Sequence, residues 1–425
     1  MERETEVFID LNGNPLLVGR LWSRSNKGRE SASFEYDKTW IGSELRFPLE
    51  PLLTMDTGVH HTQSGKPLFG AIGDSAPDRW GRALMRRSER KNAEREQRTP
   101  RTLMEIDYLL LVDDGIRQGA LRFRAANTSE FLSNTQSVIP PLVELPKLLS
   151  ASERVLNDTD SDDDLRLLLA PGSSLGGARP KAAVIDLGGS LAIAKFPHHG
   201  DEYNIELWSC VALELAQKAG INVPLHRMTS VIDQQVLIVT RFDREGKTRI
   251  PFLSALSMIG AADNEMHSYL ELVDAIRQHG AGVQEDLREL WRRIIFTILV
   301  SNVDDHLRNH GFLYDNANGG WRLSPAYDLN PVPVDVKARV LSMMIDDRDN
   351  SASFDLAIEV GEYFGLEKSE MRVITKEVVN SVSSWHTEAK RLGISTEEVN
   401  RMATAFEHDE TKRAIKYCDA SQITG

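Results

Sequence analysis

Between Glu285 and Val300 the apolar residues fall at positions 287, 290, 291, 294, 295, 298 and 299, the stripe of a helix that must bury one face. The helix then gives way to Ser301-Asn302-Val303-Asp304-Asp305-His306-Leu307-Arg308-Asn309, a run that sets two acids and an amide in irregular backbone. A buried helix is a stiff platform, so polar residues at its end are held in a defined place. Beyond Asn309, Gly311-Phe312-Leu313-Tyr314-Asp315 and Trp321-Arg322-Leu323 flank the polar turn Asn316-Ala317-Asn318-Gly319-Gly320 and read as a hairpin. It is expected to carry Tyr327-Asp328 back beside Asn309. Taken alone, a D-x-H-x-x-N string arises by chance, and acids in loops are usually just solvated. The helix before it and the hairpin after it make it the candidate site.

Two carboxylates and an amide so placed suit a protein that holds magnesium and a nucleoside triphosphate while a hydroxyl attacks. In protein kinases an Asp positions the hydroxyl, an Asn five residues later binds one metal, and a more distant Asp binds the other. Asp304 and Asn309 have that spacing, whereas Asp305 would need its amide at position 310, which is His310. Asp304 is therefore the expected catalytic base, with Asn309 and Asp328 as metal ligands.

The 425 residues suffice for two or three domains with a substantial core, and 41% hydrophobic with 27% charged residues describes an ordinary soluble chain. A net charge of −13 argues against a main task of coating DNA or RNA. The Arg- and Lys-rich run from Arg79 to Arg101 reads as a solvated helix face. No apolar run of about 18 residues suggests a membrane span. Met1-Glu2-Arg3-Glu4-Thr5-Glu6 lacks the apolar core of a signal peptide. The two cysteines, Cys210 and Cys418, make neither a disulfide framework nor a metal cluster, and Cys210 reads as a small buried hydrophobe. These features point to the cytoplasm and to no membrane contact.

Residues 1–125 open with strands around the Asn12-Gly13 turn, a strong hairpin signal, and hold helical stretches near 80–93 and 103–111. Residues 126–170 read as a linker and a helix. The acidic run Asp158 to Asp164 imitates a calcium loop but has Asp163 where that loop needs Gly, and it reads as a solvated loop or helix cap. Residues 171–244 begin with Pro171-Gly172-Ser173-Ser174-Leu175-Gly176-Gly177-Ala178-Arg179-Pro180-Lys181, whose small residues let backbone N–H groups approach phosphate closely. Two strands, 182–186 and 191–196, follow, with Lys195 near the end of the second. A Gly-rich segment, a hairpin and a strand Lys form the order in which kinase N-lobes supply phosphate contacts. The bland alternative for Lys195 is a surface lysine. A helix over 203–219 carries Glu206 in its first turn, placed either to pair with Lys195 or merely to complement the helix dipole. Phe242, past an apolar strand, is either an adenine wall or core. Residues 245–425 read as helical apart from the hairpin and the Asn330-Pro331-Val332-Pro333 bend. The scattered histidines, including 60–61 and 198–199, lack convergent partners and read as surface residues rather than metal ligands.

These motifs, in this order, resemble the HipA-type serine/threonine kinases, the toxin halves of bacterial toxin–antitoxin pairs. Ser174 to Lys181 resembles their S-x-x-G-A-x-x-K loop, Arg241-Phe242-Asp243-Arg244 their R-F-D-R segment, Asn302 to Asn309 their N-x-D-x-H-x-x-N loop, and Pro325-Ala326-Tyr327-Asp328 their P-x-Y-D motif. In the N-terminal half, Ser33-Phe34-Glu35-Tyr36, Pro77-Asp78-Arg79-Trp80-Gly81-Arg82 and Gly119 to Phe123 are similar to pieces of their N-terminal subdomain. The resemblance implies an α+β, protein-kinase-like two-lobed core with a β-rich N-terminal subdomain and a helical C-terminal lobe. It implies ATP and Mg2+ as cofactors. Asp304 would be the base, and Asn309 and Asp328 would hold the metal. Lys195 and the loop residues Leu175, Gly176, Gly177, Ala178, Arg179 and Lys181 would lie on phosphate. Thr240, Arg241 and Phe242 would line the adenine site, with His306 and Tyr327 near the nucleotide. Ser174, or Ser173 beside it, would be autophosphorylated and silence the enzyme. A HipB-like helix-turn-helix antitoxin, operator DNA reached through that antitoxin, and a protein substrate such as an aminoacyl-tRNA synthetase are the implied partners. The chain departs from the family pattern at Thr240, where Glu is common, and at Arg308, where Lys is common. A small-molecule phosphotransferase on the same kind of fold and a non-catalytic co-repressor are the competing readings.

Overall fold

Asn12 and Gly13 have φ of +55° and +80°, the left-handed pair that a tight hairpin turn requires. They join β1 (Glu2–Leu11) to β2 (Asn14–Asn26), which continue the pairing as far as Glu2 opposite Arg24. With β3 (Arg29–Tyr36), β4 (Val59–His61) and β5 (Leu121–Ala125) they form a sheet in the order β4-β3-β2-β1-β5. This sheet belongs to the first of two compact units in a computed structural model that describes residues 2–26, 28–133, 139–169 and 177–419. The first unit is Met1–His199 with Thr229–Gly260, and the second is Gly200–Met228 with Ala261–Gly425. Segment 171–244 thus contributes to both.

The first unit holds most of a second sheet built from β6 (Lys181–Ile185), β7 (Leu191–Lys195), β8 (His226–Val231, whose first three residues are assigned to the second unit) and β9 (Gln234–Thr240), in the order β6-β7-β9-β8. Ala182, Val184, Ala192, Ala194, Val236 and Ile238 point to one side of it and pack with Trp80, Leu84, Leu148, Leu149 and Leu168. Those partners come from helices Arg79–Arg95, Leu145–Leu156 and Asp162–Leu169. The small alanines on the strands leave room for the large helix side chains.

The basic and acidic runs answer each other here. Arg87 and Lys91 reach Asp160, whose side chain is only 2% exposed, and Arg154 holds Asp164. Arg79, Arg86, Arg90 and Arg95 remain exposed and the acidic run opens the helix Asp162–Leu169, as expected, but Arg87 and Lys91 are drawn from the basic face onto the buried side chain of Asp160. The pairing links residues some 70 positions apart, and no local pattern announces it.

The second unit is helical around one hairpin. Its elements are α1 (Ile205–Lys218), α2 (Tyr269–His279), α3 (Val283–Leu299), β10 (Gly311–Asp315), β11 (Gly320–Leu323), α4 (Lys368–Val382), α5 (Trp385–Arg391), α6 (Thr396–Phe406) and α7 (Asp409–Asp419). Asn204 caps α1, its side chain accepting from Leu207 N, and Gly220 at φ +78° ends the helix. The stripe on α3 is buried as expected, with Leu287, Leu290, Trp291, Ile294, Ile295, Ile298 and Leu299 at most 1% exposed. Trp291 donates its indole N–H to Ala357 O at 2.9 Å, and Trp385 stacks on Phe406 at 4.6 Å. Among the described residues no helix is long and apolar enough to cross a membrane.

Candidate functional site

The polar run after α3 is anchored at both ends. Ser301 takes a left-handed backbone, φ +52°, which a non-glycine residue adopts only under constraint. The constraint is visible: its hydroxyl donates to Ala405 O at 2.8 Å, and Arg339 donates to it at 3.1 Å and to Ile298 O at 3.0 Å. Asp328 is also left-handed, φ +61°. Its carbonyl accepts from Asn330 Nδ2 at 3.1 Å, while Asn330 N donates to Asn302 Oδ1 at 3.0 Å. Tyr327 OH donates to Arg308 O at 2.8 Å. The hairpin therefore does return the 327–328 segment onto the 302–309 loop. Strained backbone at both segments is the kind of local cost that functional loops carry.

Within this frame the two adjacent acids differ completely. Asp305 is buried, accepting from Tyr269 OH and lying 3.0 Å from His310 Nε2. Burial works against its charge, but His310 and the Tyr269 hydroxyl outweigh it and hold the carboxyl below its ordinary value. The same burial, with Asp305 alongside, pushes the Tyr269 phenol well up. Asp304 instead points outward with 66% of its side chain exposed and 3.3 Å from Lys337 Nζ. An exposed pair of this kind is worth at most about 1 kcal/mol, so the carboxylate remains available to a substrate.

Asn309 is buried and its orientation is fixed, because Nδ2 donates to Asp304 O at 3.2 Å. That leaves Oδ1 buried with no hydrogen-bond partner among the described residues. A buried amide oxygen without a donor costs about 1–3 kcal/mol, and a hard cation is one group that would satisfy it. His306 Nδ1 is likewise buried and unpartnered among the described residues. Asp304, His306, Asn309, Tyr327 and Asp328 are thus brought together in the second unit. The expected donors, the Asn309 amide oxygen and the carboxylate of Asp328 on the adjoining segment, are hard oxygen ligands of the kind that suits Mg2+ rather than a softer metal.

The remaining expected residues lie in the first unit. Lys195 is half-buried on β7, opposite Lys181 on β6 and Leu237 on β9. Thr240 pairs with Ala192 at the end of β9, and Phe242 lies 6.3 Å from the Phe252 ring. Arg241 is turned inward. Its guanidinium donates to Asp243 and to the carbonyls of Ile116 and Arg117, and its backbone N donates to Leu191 O at 2.9 Å. What Arg241 offers at the strand end is backbone rather than side chain. Lys181 also faces inward: Nζ lies 3.0 Å from Asp78, both side chains are 5% exposed, and Trp80 donates to the Lys181 carbonyl. Gly177, at φ +97°, leaves room for that ammonium, since a Cβ would lie 3.0 Å from it. Ala178 is exposed and Arg179 half-buried. Ser173, Ser174, Leu175 and Gly176 lie outside the described residues.

Sequence reasoning missed Asn302 and Asn330, which clamp the two loops together, and Asp305 with Tyr269 and His310, which stiffen the loop from below. It also missed Asp78 as the partner of Lys181. The Asp78–Lys181 pair spans about a hundred residues of sequence, and only folding brings it together.

Residues 173–386, about half of the chain, match the model of the HipA-like C-terminal domain. The chain belongs to this HipA-like family. Its fold is similar over 98% of its length to that of HipA in the complex of Shewanella oneidensis MR-1 toxin–antitoxin proteins HipA and HipB with their operator DNA. The TM-score is 0.65 at 16% identity, and 97% of that chain is covered. The chain thus has the α+β, kinase-like two-lobed HipA fold. A Haemophilus influenzae protein named "Putative kinase" is 27% identical over 174 residues, 36% of this chain. This HipA-like chain matches only 50% of that relative's length.

Proposed function

We propose that this HipA-like chain is an ATP- and Mg2+-dependent serine/threonine protein kinase that acts as the toxin of a HipBA-like pair in the cytoplasm. The observation that carries the reading is the Asn309 amide oxygen, buried without a donor among the described residues, in the loop that presents the exposed Asp304 and whose Arg308 carbonyl accepts from Tyr327 OH, next to Asp328. Magnesium, when bound, neutralises charge on the triphosphate. Asn309 and Asp328 would hold it. Asp304 accepts the proton of a Ser or Thr hydroxyl and orients that oxygen, with His306 beside it. Lys195 contributes a fixed positive charge toward phosphate, helped by the backbone of the Gly-rich loop from Leu175 to Arg179. Thr240, Phe242 and the backbone of Arg241 provide the adenine wall. Lys181, held by Asp78, serves as a buried brace for that loop.

Autophosphorylation at Ser174 or Ser173 would silence the enzyme. A small helix-turn-helix antitoxin would partner it and supply the contacts to operator DNA that a chain of net charge −13 is ill suited to make. The solved complex of Shewanella HipA with HipB and operator DNA supports that part of the reading. The protein substrate is expected by family likeness among translation factors such as an aminoacyl-tRNA synthetase. The test is transfer of label from ATP, with magnesium, to the chain itself and to a lysate, read by phosphopeptide mapping. Label on protein that vanishes in Asp304→Asn and Asp328→Ala supports the proposal. Equal labelling of wild type and variants, or none at all, removes it.

A further inference from the structure

One cluster in the second unit stands apart from the loops described above. Cys210 and Glu214 are one helical turn apart on α1 and so share a face. His226, at the start of β8, meets that face. One ligating atom from each residue lies within 4.8 Å of the other two. Cys210 is a free thiol, 1% exposed. The His226 side chain is 4% exposed. Its Nδ1 lies 2.9 Å from Pro224 O, so it carries the proton and donates to that carbonyl. This leaves Nε2 as the bare nitrogen, and it is buried with no hydrogen-bond partner among the described residues. Nε2 faces Glu214 Oε1 at 3.9 Å, too far for a hydrogen bond.

We propose that Cys210, Glu214 and His226 form a binding site for one thiophilic divalent transition ion, of which Zn2+ is the type, separate from the Asp304–Asn309 loop. A buried imidazole with its proton fixed on one nitrogen by a carbonyl, its bare nitrogen 3.9 Å from a carboxylate and a thiol in the same cluster, is the arrangement of a metal-ligating histidine with its outer-sphere partner in place. Thiolate, imidazole and carboxylate together select a borderline or soft ion over Mg2+. The charges balance: thiolate and carboxylate neutralise a dication while the imidazole stays neutral. Cys210 gives up its proton to solvent as the metal–sulfur bond forms. Ligands about 2.0–2.3 Å from an ion lie roughly 3.5 Å from each other, so binding draws atoms now within 4.8 Å of one another in by up to about 1.3 Å. Arg391, 2.8 Å from Glu388, lies 2.9 Å from Glu214 Oε1, the oxygen that also faces His226, and so fixes the carboxylate in place while Oε2 stays open for the ion. The Glu214 side chain is 28% exposed, which gives an entry path and room for a water as fourth ligand. The competing account is a plain protonated His226 paired with Glu214.

The experiment uses the full chain, stripped of metal and kept in excess Mg2+ to fill oxygen-only sites, titrated with Co2+ and then Zn2+. One equivalent of Co2+ is expected to produce a thiolate-to-cobalt charge-transfer band that Zn2+ displaces, and Zn2+ should raise the unfolding midpoint. Cys418→Ala should keep the band, and Cys210→Ala should abolish it. His226→Gln and Glu214→Gln should each weaken Co2+ binding by on the order of 10-fold or more. No band in the wild type overturns the proposal, as does a band that survives Cys210→Ala. If Cys210→Ala fails to fold, unchanged Co2+ affinity in both His226→Gln and Glu214→Gln overturns it as well.

Discussion

Arg241-Phe242-Asp243-Arg244 in the first unit and Asp304 to Asn309 in the second are both charged motifs at the end of an apolar element, and the fold treats them oppositely. Asp243 is fully buried and accepts from Arg241, from Arg244 at 2.8 Å and from Gly119 N at 2.7 Å. Arg244 also donates to the carbonyls of Gly119 and Arg117. Both guanidiniums of that motif share the one carboxylate and turn their other donors to the carbonyls of Ile116, Arg117 and Gly119, so the cluster knits β9 to the 116–119 segment. In the second motif Asp305 plays the same inward part, while Asp304 stays exposed and Asn309 Oδ1 has no donor among the described residues. The difference lies in what each group is left to do. Charges that are consumed build the scaffold. An acceptor held rigid with no donor among the described residues keeps its capacity for a ligand.

The comparison can be broken most decisively at Asp304. Asp304→Asn is expected to lower phosphate transfer by about 10²–10⁴-fold while leaving the unfolding midpoint unchanged, because the lost pair with Lys337 is exposed. A variant that loses activity by unfolding would show that the loop is scaffold after all. Asp243→Asn should do the reverse, costing about 3–5 kcal/mol in denaturant unfolding because Arg241 and Arg244 stay buried without their counterion. Its acid dependence carries a sign. Burial opposes the Asp243 charge, but Arg241 and Arg244 overcome it and hold the carboxyl below the ordinary 3.8. The stabilisation is therefore complete above about pH 4 and is lost as pH falls through the lower folded-state value. The gap between wild type and Asp243→Asn should be flat above that point and close below it.

Asn309→Ala sharpens the second half of the comparison. It removes the unpartnered oxygen and should raise the Mg2+ concentration needed for half-maximal transfer by on the order of 10–100-fold, with stability unchanged or improved. Unaltered Mg2+ dependence would take Asn309 out of the metal site. The smallest effect belongs to Lys337→Ala, where loss of an exposed pair should change stability by less than about 1 kcal/mol, measured in the same unfolding series.

The α3 stripe, the hairpin after it, the Asn12-Gly13 turn and the strand pair ending at Lys195 were all legible in sequence, because each rests on local periodicity or turn chemistry. So was the spacing of Asp304 to Asn309. What escaped was the fate of each charge. Arg87 and Lys91 looked solvated and are spent on Asp160. Lys181 looked like a phosphate contact and faces Asp78. Cys210 looked like a filler and has Glu214 and His226 for neighbours.

By itself the sequence determined which elements form and which polar residues stand at their ends, since helix period, strand alternation and capping act over a few residues. Only the tertiary structure decided which of those polar groups find partners. Burying a charge is tolerable only beside its complement, and here that complement commonly sits tens of residues away in the chain, where no local pattern can point to it.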